Sequence, residues 1–245
     1  MSARPRRTTG RPGGAGGGGG GGAGSTEDAA GGRRFTGWPD EALEFYEGLE
    51  ADNSKAYCEP RKSVYEAAVK GPLEALVADL EPEFGTLRLM RPYRDVRFSA
   101  DKSPYKTFAG AGTHDGSAGV YVSFSAEGLF LGAGFWHMTK DQLVRYREAV
   151  DGAPGAELEA IAADLAASGY QVEGESLKRA PKGWAADHPR VDLLRRTSLY
   201  VGRRYQPAPW MATPAAEDRV VEVWRAARPL NAWLNTNVGR PLEAA

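Results

Sequence analysis

Val120, Val122 and Phe124 alternate with Tyr121, Ser123 and Ser125, and beyond Glu127-Gly128 the alternation resumes with Leu129, Leu131, Ala133 and Phe135. Two period-two runs on either side of a turn dipeptide specify a β-hairpin with one apolar face. Gly132 and Gly134 remove side chains from the other face of the second strand, so a neighbouring backbone or a ligand can approach there.

Helical patterns flank this hairpin. Pro39 opens a helix whose apolar positions Ala42, Phe45, Tyr46 and Leu49 follow the i, i+3, i+4, i+7 spacing, and Asp52-Asn53-Ser54 breaks and recaps the chain. A second helical region, started by Pro60 and kinked at Gly71-Pro72, reaches Leu80. Leu87 and Leu89 then alternate as a strand. After the hairpin, Thr139 to Gln142 forms a capping box for a helix through Leu143, Tyr146 and Val150, and another runs from Pro154 to a stop at Gly169. Tyr170 to Val172 and Thr197 to Arg204 read as strands. Thr213-Pro214 caps a last helix through Trp224, extended after Pro229. Helices at both ends and hairpin-linked strands between them predict an α+β fold, a mostly antiparallel sheet with helices packed on it.

Residues 1–34 contain thirteen glycines, seven of them consecutive from Gly16, and are predicted to be a disordered Gly/Arg-rich tail. Residues 35–245 are expected to form a single domain. The tail carries six arginines against Glu27 and Asp28, a net of +4, so a chain of net −1 leaves −5 on the domain. That sign excludes a generic nucleic-acid binder. Arg6-Arg7 is followed by glycine and not by an apolar stretch, which excludes a twin-arginine export signal, and nothing approaches the roughly 18 apolar residues of a membrane span. The one cysteine, Cys58, fits a reducing, cytoplasmic setting and reads as a structural thiol.

Residues 88–106 hold six basic side chains and two acidic ones, a net of +4 inside a domain that is otherwise near −9. Two readings fit. Internally, Asp95 pairs with Arg94 or Arg97 and Asp101 with Lys102. Functionally, Arg94, Arg97, Lys102 and Lys106 hold a phosphate or carboxylate, with Tyr93, Phe98 or Tyr105 as stacking walls. In an extended backbone Asp95 and Arg97 share a face.

A second basic segment runs Leu177-Lys178-Arg179-Ala180-Pro181-Lys182-Gly183-Trp184, followed by Asp187-His188-Pro189. Lys178, Arg179 and Lys182 with a turn-forming glycine suit a loop closing over an anion. Asp187-His188 is either an acid–base pair or a helix cap starting at Asp187. No metal is expected, because His114, His137 and His188 lie far apart and two carboxylates do not make a Mg²⁺ site. There is no phosphate loop, nucleophile elbow or dinucleotide fingerprint.

The run Arg94-Asp95-Val96-Arg97-Phe98-Ser99-Ala100-Asp101-Lys102-Ser103-Pro104-Tyr105-Lys106, together with the second segment through Pro189, resembles the signatures of the domain-of-unknown-function 2461 family of bacterial and fungal proteins. The resemblance extends over most of the domain, including Gly132 to His137 and Leu230 to Leu234. Ala180 and Trp184 stand where the family pattern has Pro and Phe. It implies that the two motifs act as one site, and it supplies no catalytic assignment, cofactor or substrate.

The expected function is therefore binding of, or action on, a small phosphorylated or carboxylated ligand. Arg94, Arg97, Lys102, Tyr105, Lys106, Lys178, Arg179 and Lys182 would contact it, Asp95, Asp101 and His188 are the candidate acid–base groups, and Trp136 or Tyr105 shapes the pocket. The alternative is a non-catalytic interaction or structural module in which the motifs are internal ion-pair networks. The residues specify neither a reaction, a cofactor nor an oligomeric state.

Overall fold

The structure is a computed structural model and describes residues 34–97 and 100–242. The expected disorder of the tail falls, but for Arg34, outside these residues. Helix α1 (Asp40–Ala51) starts directly after Pro39 and buries Ala42, Phe45, Tyr46 and Leu49, the four positions its spacing selected. Ser54 Oγ accepts from Tyr57 N–H at 3.2 Å and caps the short α2 (Lys55–Cys58). A 3₁₀ turn (Glu59–Arg61), α3 (Lys62–Val64), a π-helical turn (Tyr65–Lys70) and α4 (Gly71–Phe84) continue the path.

The expected kink at Gly71-Pro72 takes the form of that π turn, in which Gly71 N–H reaches back five residues to Glu66 O. Pro72 has no N–H and its ring crowds the preceding turn, so the helix widens just before it. Helix α4 also outruns its expected end at Leu80. Pro82 forfeits one bond, but Gly85 N–H closes onto Glu81 O at 3.0 Å, and Gly85 at φ +80° ends the helix.

Among the described residues, six strands form one antiparallel sheet in the order β1-β2-β3-β4-β6-β5. They are β1 (Arg88–Leu89), β2 (Phe108–Gly112), β3 (Gly119–Ser125), β4 (Gly128–Phe135), β5 (Gln171–Glu173) and β6 (Leu199–Tyr205). The hairpin register pairs Val122 with Leu131 and Phe124 with Leu129. Its turn is Ala126-Glu127, one residue earlier than expected, because Gly128 already pairs with Ser125 as the first residue of β4. Strand β2 was not expected. Its Phe-Ala-Gly-Ala-Gly sequence has little strand propensity, and it forms because Ala109 and Ala111 are buried against Phe124 and Val122.

One face of the sheet carries the core: Ala109, Ala111, Val122, Phe124, Leu131 and Val201 are all buried there. Helix α4 packs on β2. Helices α8 (Ala215–Ala226) and α9 (Arg228–Asn237) pack on β4. Trp38 stacks on Phe124 with ring centroids 4.9 Å apart. The single helix expected here is two, since Pro229 and the residue before it resist continuation; the helix breaks at Ala227, and Pro229 falls in the first turn of α9, where no N–H is needed.

Tyr121, Phe130 and Tyr200 project from the opposite face and stand outside the core cluster. Trp136 joins them, 4.4 Å from Tyr200 between centroids and 62% exposed. Of the two glycines on this face, Gly134 serves a neighbouring backbone: at φ +138°, a Cβ there would collide with the Leu199 carbonyl oxygen.

Helix α5 (Lys140–Asp151) opens with Gln142 Oε1 accepting from Thr139 N–H at 3.0 Å, as a capping box requires. Helix α6 (Pro154–Ala167) ends at Gly169, φ +80°. Among the described residues, no helix is long and apolar enough to cross a membrane.

Candidate functional site

The first motif is a two-stranded arm that prolongs the β1–β2 hairpin. Met90 N–H donates to Gly110 O at 2.8 Å, Lys106 N–H to Pro92 O at 2.7 Å and Arg94 N–H to Pro104 O at 3.0 Å. Tyr93 and Tyr105 pair across it, with ring centroids 5.5 Å apart. Asn53, in the break after α1, pins the arm reciprocally: Nδ2 donates to Tyr105 O at 3.0 Å and Oδ1 accepts from Tyr105 N–H at 3.1 Å.

The charges of the arm largely face one another. Arg97 grips Asp95 in a fork, Nε to Oδ1 at 2.9 Å and Nη2 to Oδ2 at 2.6 Å, the pairing that a shared strand face allows. Asp101 pairs with Arg94 and not with Lys102, whose ammonium donates to Val96 O at 2.9 Å. Hydrogen bonds from Ser103, and then Arg94, hold the Asp101 carboxyl down at about 2. Asp95 is lowered too, first by the Arg97 side chain. A carboxylate held as low as that of Asp101 is a weak general base at neutral pH. Arg94 and Arg97 are paired but not enclosed, since their side chains are 34% and 77% exposed. Phe98, a suggested stacking wall, lies outside the described residues.

The second motif continues beyond β5. Leu177 N–H donates to Arg195 O at 2.8 Å, and Arg195 Nε returns a bond to Leu177 O at 2.6 Å. A turn follows, with Pro181 buried, Gly183 at φ +102° and Trp184 half-buried against the core. Lys178, Arg179 and Lys182 project from it, exposed and without a carboxylate partner among the described residues.

The structure corrects both readings of Asp187-His188. His188 Nδ1 accepts from Arg190 N–H at 3.0 Å, so Nε2 bears the proton and meets Asp151 Oδ1 at 2.9 Å; the partner is Asp151, not Asp187. Nor does Asp187 cap a helix, because two successive turns, His188 N–H to Ala185 O and Val191 N–H to His188 O, delay α7 to Val191–Leu194. Arg190 bonds Val150 O, Gly152 O and Glu159, so this end of the motif clasps the α5–α6 corner.

The two motifs do not meet. The arm leaves the β1 edge at the end of the sheet where Phe108 faces Ser125, and the second motif leaves the β5 edge beyond the Glu173–Tyr200 pair, at the other end. Five inter-strand spacings, roughly 24 Å, separate these edges. The single site implied by the resemblance is therefore two basic surfaces at diagonal corners.

A recess of about 550 Å³ opens elsewhere, between the end of α4, the loop before β3 and the start of α9. Arg88 lines it, and none of the expected ligand-binding or acid–base residues does. Its other walls include Glu83, His114, Asp115, Arg228 and Asn231, drawn from segments too distant in sequence to leave a local motif. Among the described residues, no group of three or more His, Cys, Asp or Glu side chains is placed to hold a metal ion.

An open antiparallel sheet with helices on one face and a basic arm at its edge defines an α+β protein with two surface-basic corners. The chain belongs to the family described as conserved hypothetical protein, DUF2461, whose profile matches residues 41–233. No curated protein and no solved structure matches it.

Proposed function

We propose that the protein binds a small anionic ligand, phosphorylated or carboxylated, and that Lys178, Arg179 and Lys182 make the principal contacts. One observation carries this: three exposed cations within five residues have no carboxylate beside them among the described residues, in a domain of net −5. On the arm, Lys102, Lys106 and Tyr105 offer a second basic surface. There a ligand competes with Asp101 for Arg94 and with Asp95 for Arg97. Water screens exposed pairs of this kind and side-chain entropy opposes them, so the competition is feasible. Nucleic acid is not the expected ligand, given the sign of the domain. We place the protein in the cytoplasm, consistent with the free thiol of Cys58, and assign it no catalytic step.

A thermal-shift screen of sugar phosphates and polycarboxylates tests the proposal. A ligand at about 100 times its Kd stabilises by roughly 2.7 kcal/mol. The triple variant Lys178→Ala, Arg179→Ala, Lys182→Ala is expected to lose that stabilisation. If the variant keeps all of it, the loop is not the site.

The non-catalytic alternative is favoured by a different observation, the aromatic cluster of half-buried Tyr121, Phe130 and Tyr200 around exposed Trp136, where a solvated sheet face is ordinarily polar. It predicts concentration-dependent self-association that Trp136→Ser abolishes. Sedimentation as a monomer at all concentrations counts against a homotypic contact there.

A further inference from the structure

The recess beside α9 owes its shape to two helix ends. Gly85 stops α4 so that Arg88 emerges at the sheet edge, and the break at Ala227 starts α9 so that Arg228 and Asn231 occupy its first turn. Asn231 and Asn235 tie α9 to the loop before β3: Asn231 Nδ2 donates to Gly119 O at 3.0 Å, and Asn235 exchanges two 2.9 Å bonds with Ala118. These hydrogen bonds fix the wall that α9 and the loop share, and the cavity stands beside it as a fixed concavity.

Both carboxylates of its lining are already engaged by arginines. Glu83 is gripped in a fork by Arg225, with two bonds of 2.7 Å, and accepts a further bond from Arg228. Asp115 is held by Ser117 and paired with Arg240. Arg88 has no carboxylate partner among the described residues. The charged side chains that line the recess are Arg88 and Arg228 with Glu83 and Asp115; Arg225 and Arg240, which stand outside the lining, engage those two carboxylates and so leave the lining guanidinium of Arg88 uncompensated. Arg228 lies over the Phe84 ring, 5.4 Å from its centroid, and spends one of its five N–H donors on Glu83. His114 and Thr113 add polar groups to the wall. A volume of about 550 Å³ is within the usual range for small-molecule sites.

We infer that this recess is an oxyanion-binding site, in which Arg88 and Arg228 hold the carboxylate or phosphate of a small ligand. It is independent of the Lys178–Lys182 loop, which lies at the opposite edge of the sheet.

The decisive measurement is calorimetric titration of the full chain with inorganic phosphate and with succinate at low chloride. Arg88→Gln is the cleanest variant, since that guanidinium pairs with no carboxylate among the described residues, and it is expected to weaken binding at least tenfold. Arg228→Gln is expected to do the same, with unfolding curves checking that Arg225 alone still secures Glu83. The loop triple variant is expected to bind both probes as the wild type does. A preference for one probe identifies the group recognised. The inference is overturned if the wild type binds neither probe, or if Arg88→Gln binds with unchanged affinity. Loss of binding only in the loop variant would transfer the site to the loop.

Discussion

His188 lies against Asp151 at the end of α5, 2.9 Å from its carboxylate, while its other ring nitrogen receives the Arg190 amide. Both nitrogens are occupied by groups that fix the α5–α6 corner, which makes the imidazole a structural strut. His188→Ala is expected to destabilise the fold by about 1–2 kcal/mol, the net worth of two hydrogen bonds. Urea unfolding measures it, and an unchanged midpoint would return His188 to the chemical candidates.

The arm is predicted to open in acid. The folded-state pKa of Asp101 is depressed to about 2 and that of Asp95 is lowered in the same direction. The stabilisation they lend is complete above the ordinary carboxylate pKa near 4 and is lost as pH falls through the depressed value. The Ser103 amide, which donates to Asp101 Oδ1 at 2.8 Å, reports this by NMR. Its shift should titrate well below pH 4, and Asp101→Asn should abolish the transition.

Asn53→Ala releases the arm from the helical layer. Two hydrogen bonds to the Tyr105 backbone disappear, at a cost of about 1–3 kcal/mol. Hydrogen exchange at Tyr105 should quicken while β3 and β4 keep their protection. Equal acceleration across the sheet would mean that the arm is not a separable unit.

Two glycines with positive φ are expected to respond differently to alanine. At Gly134, φ +138°, a new methyl would meet the Leu199 carbonyl oxygen, whereas Gly85, at φ +80°, has nothing within 4 Å of the position a methyl would take. Gly85→Ala should cost about 1 kcal/mol from backbone strain alone. Gly134→Ala adds a clash between β4 and β6 and should cost at least about 3 kcal/mol. Thermal denaturation of the pair checks the order.

Much of the fold was legible because burial imposes a period. The α1 stripe follows from the helical spacing of its apolar residues and the two strands of the hairpin from their alternation, although the turn between them falls one residue earlier than expected. Strand β2 carries almost no such signal: its alanines and glycines become a strand only when Val122 and Phe124 lie alongside. The same limit governs the charges. Asp95 and Arg97 are two residues apart on one extended segment, so their pairing was readable, whereas Arg94 and Asp101 meet only because the arm folds back on itself. His188 finds Asp151 across a helix corner, and the recess joins α4, β1 and α9, contacts that no local spacing encodes.

The sheet ends at β1, two residues long, and at β5, three residues long. Unpaired backbone at a sheet margin is a template for strand addition and fibrillar growth, and regular strands this short offer it little length before the chain passes into the arm on one side and the second motif on the other. A Gly/Ala-rich inner strand, poor at holding its own register, is thereby kept from recruiting other chains. Lengthening either margin with apolar residues is the change most apt to favour the addition of strands from other chains.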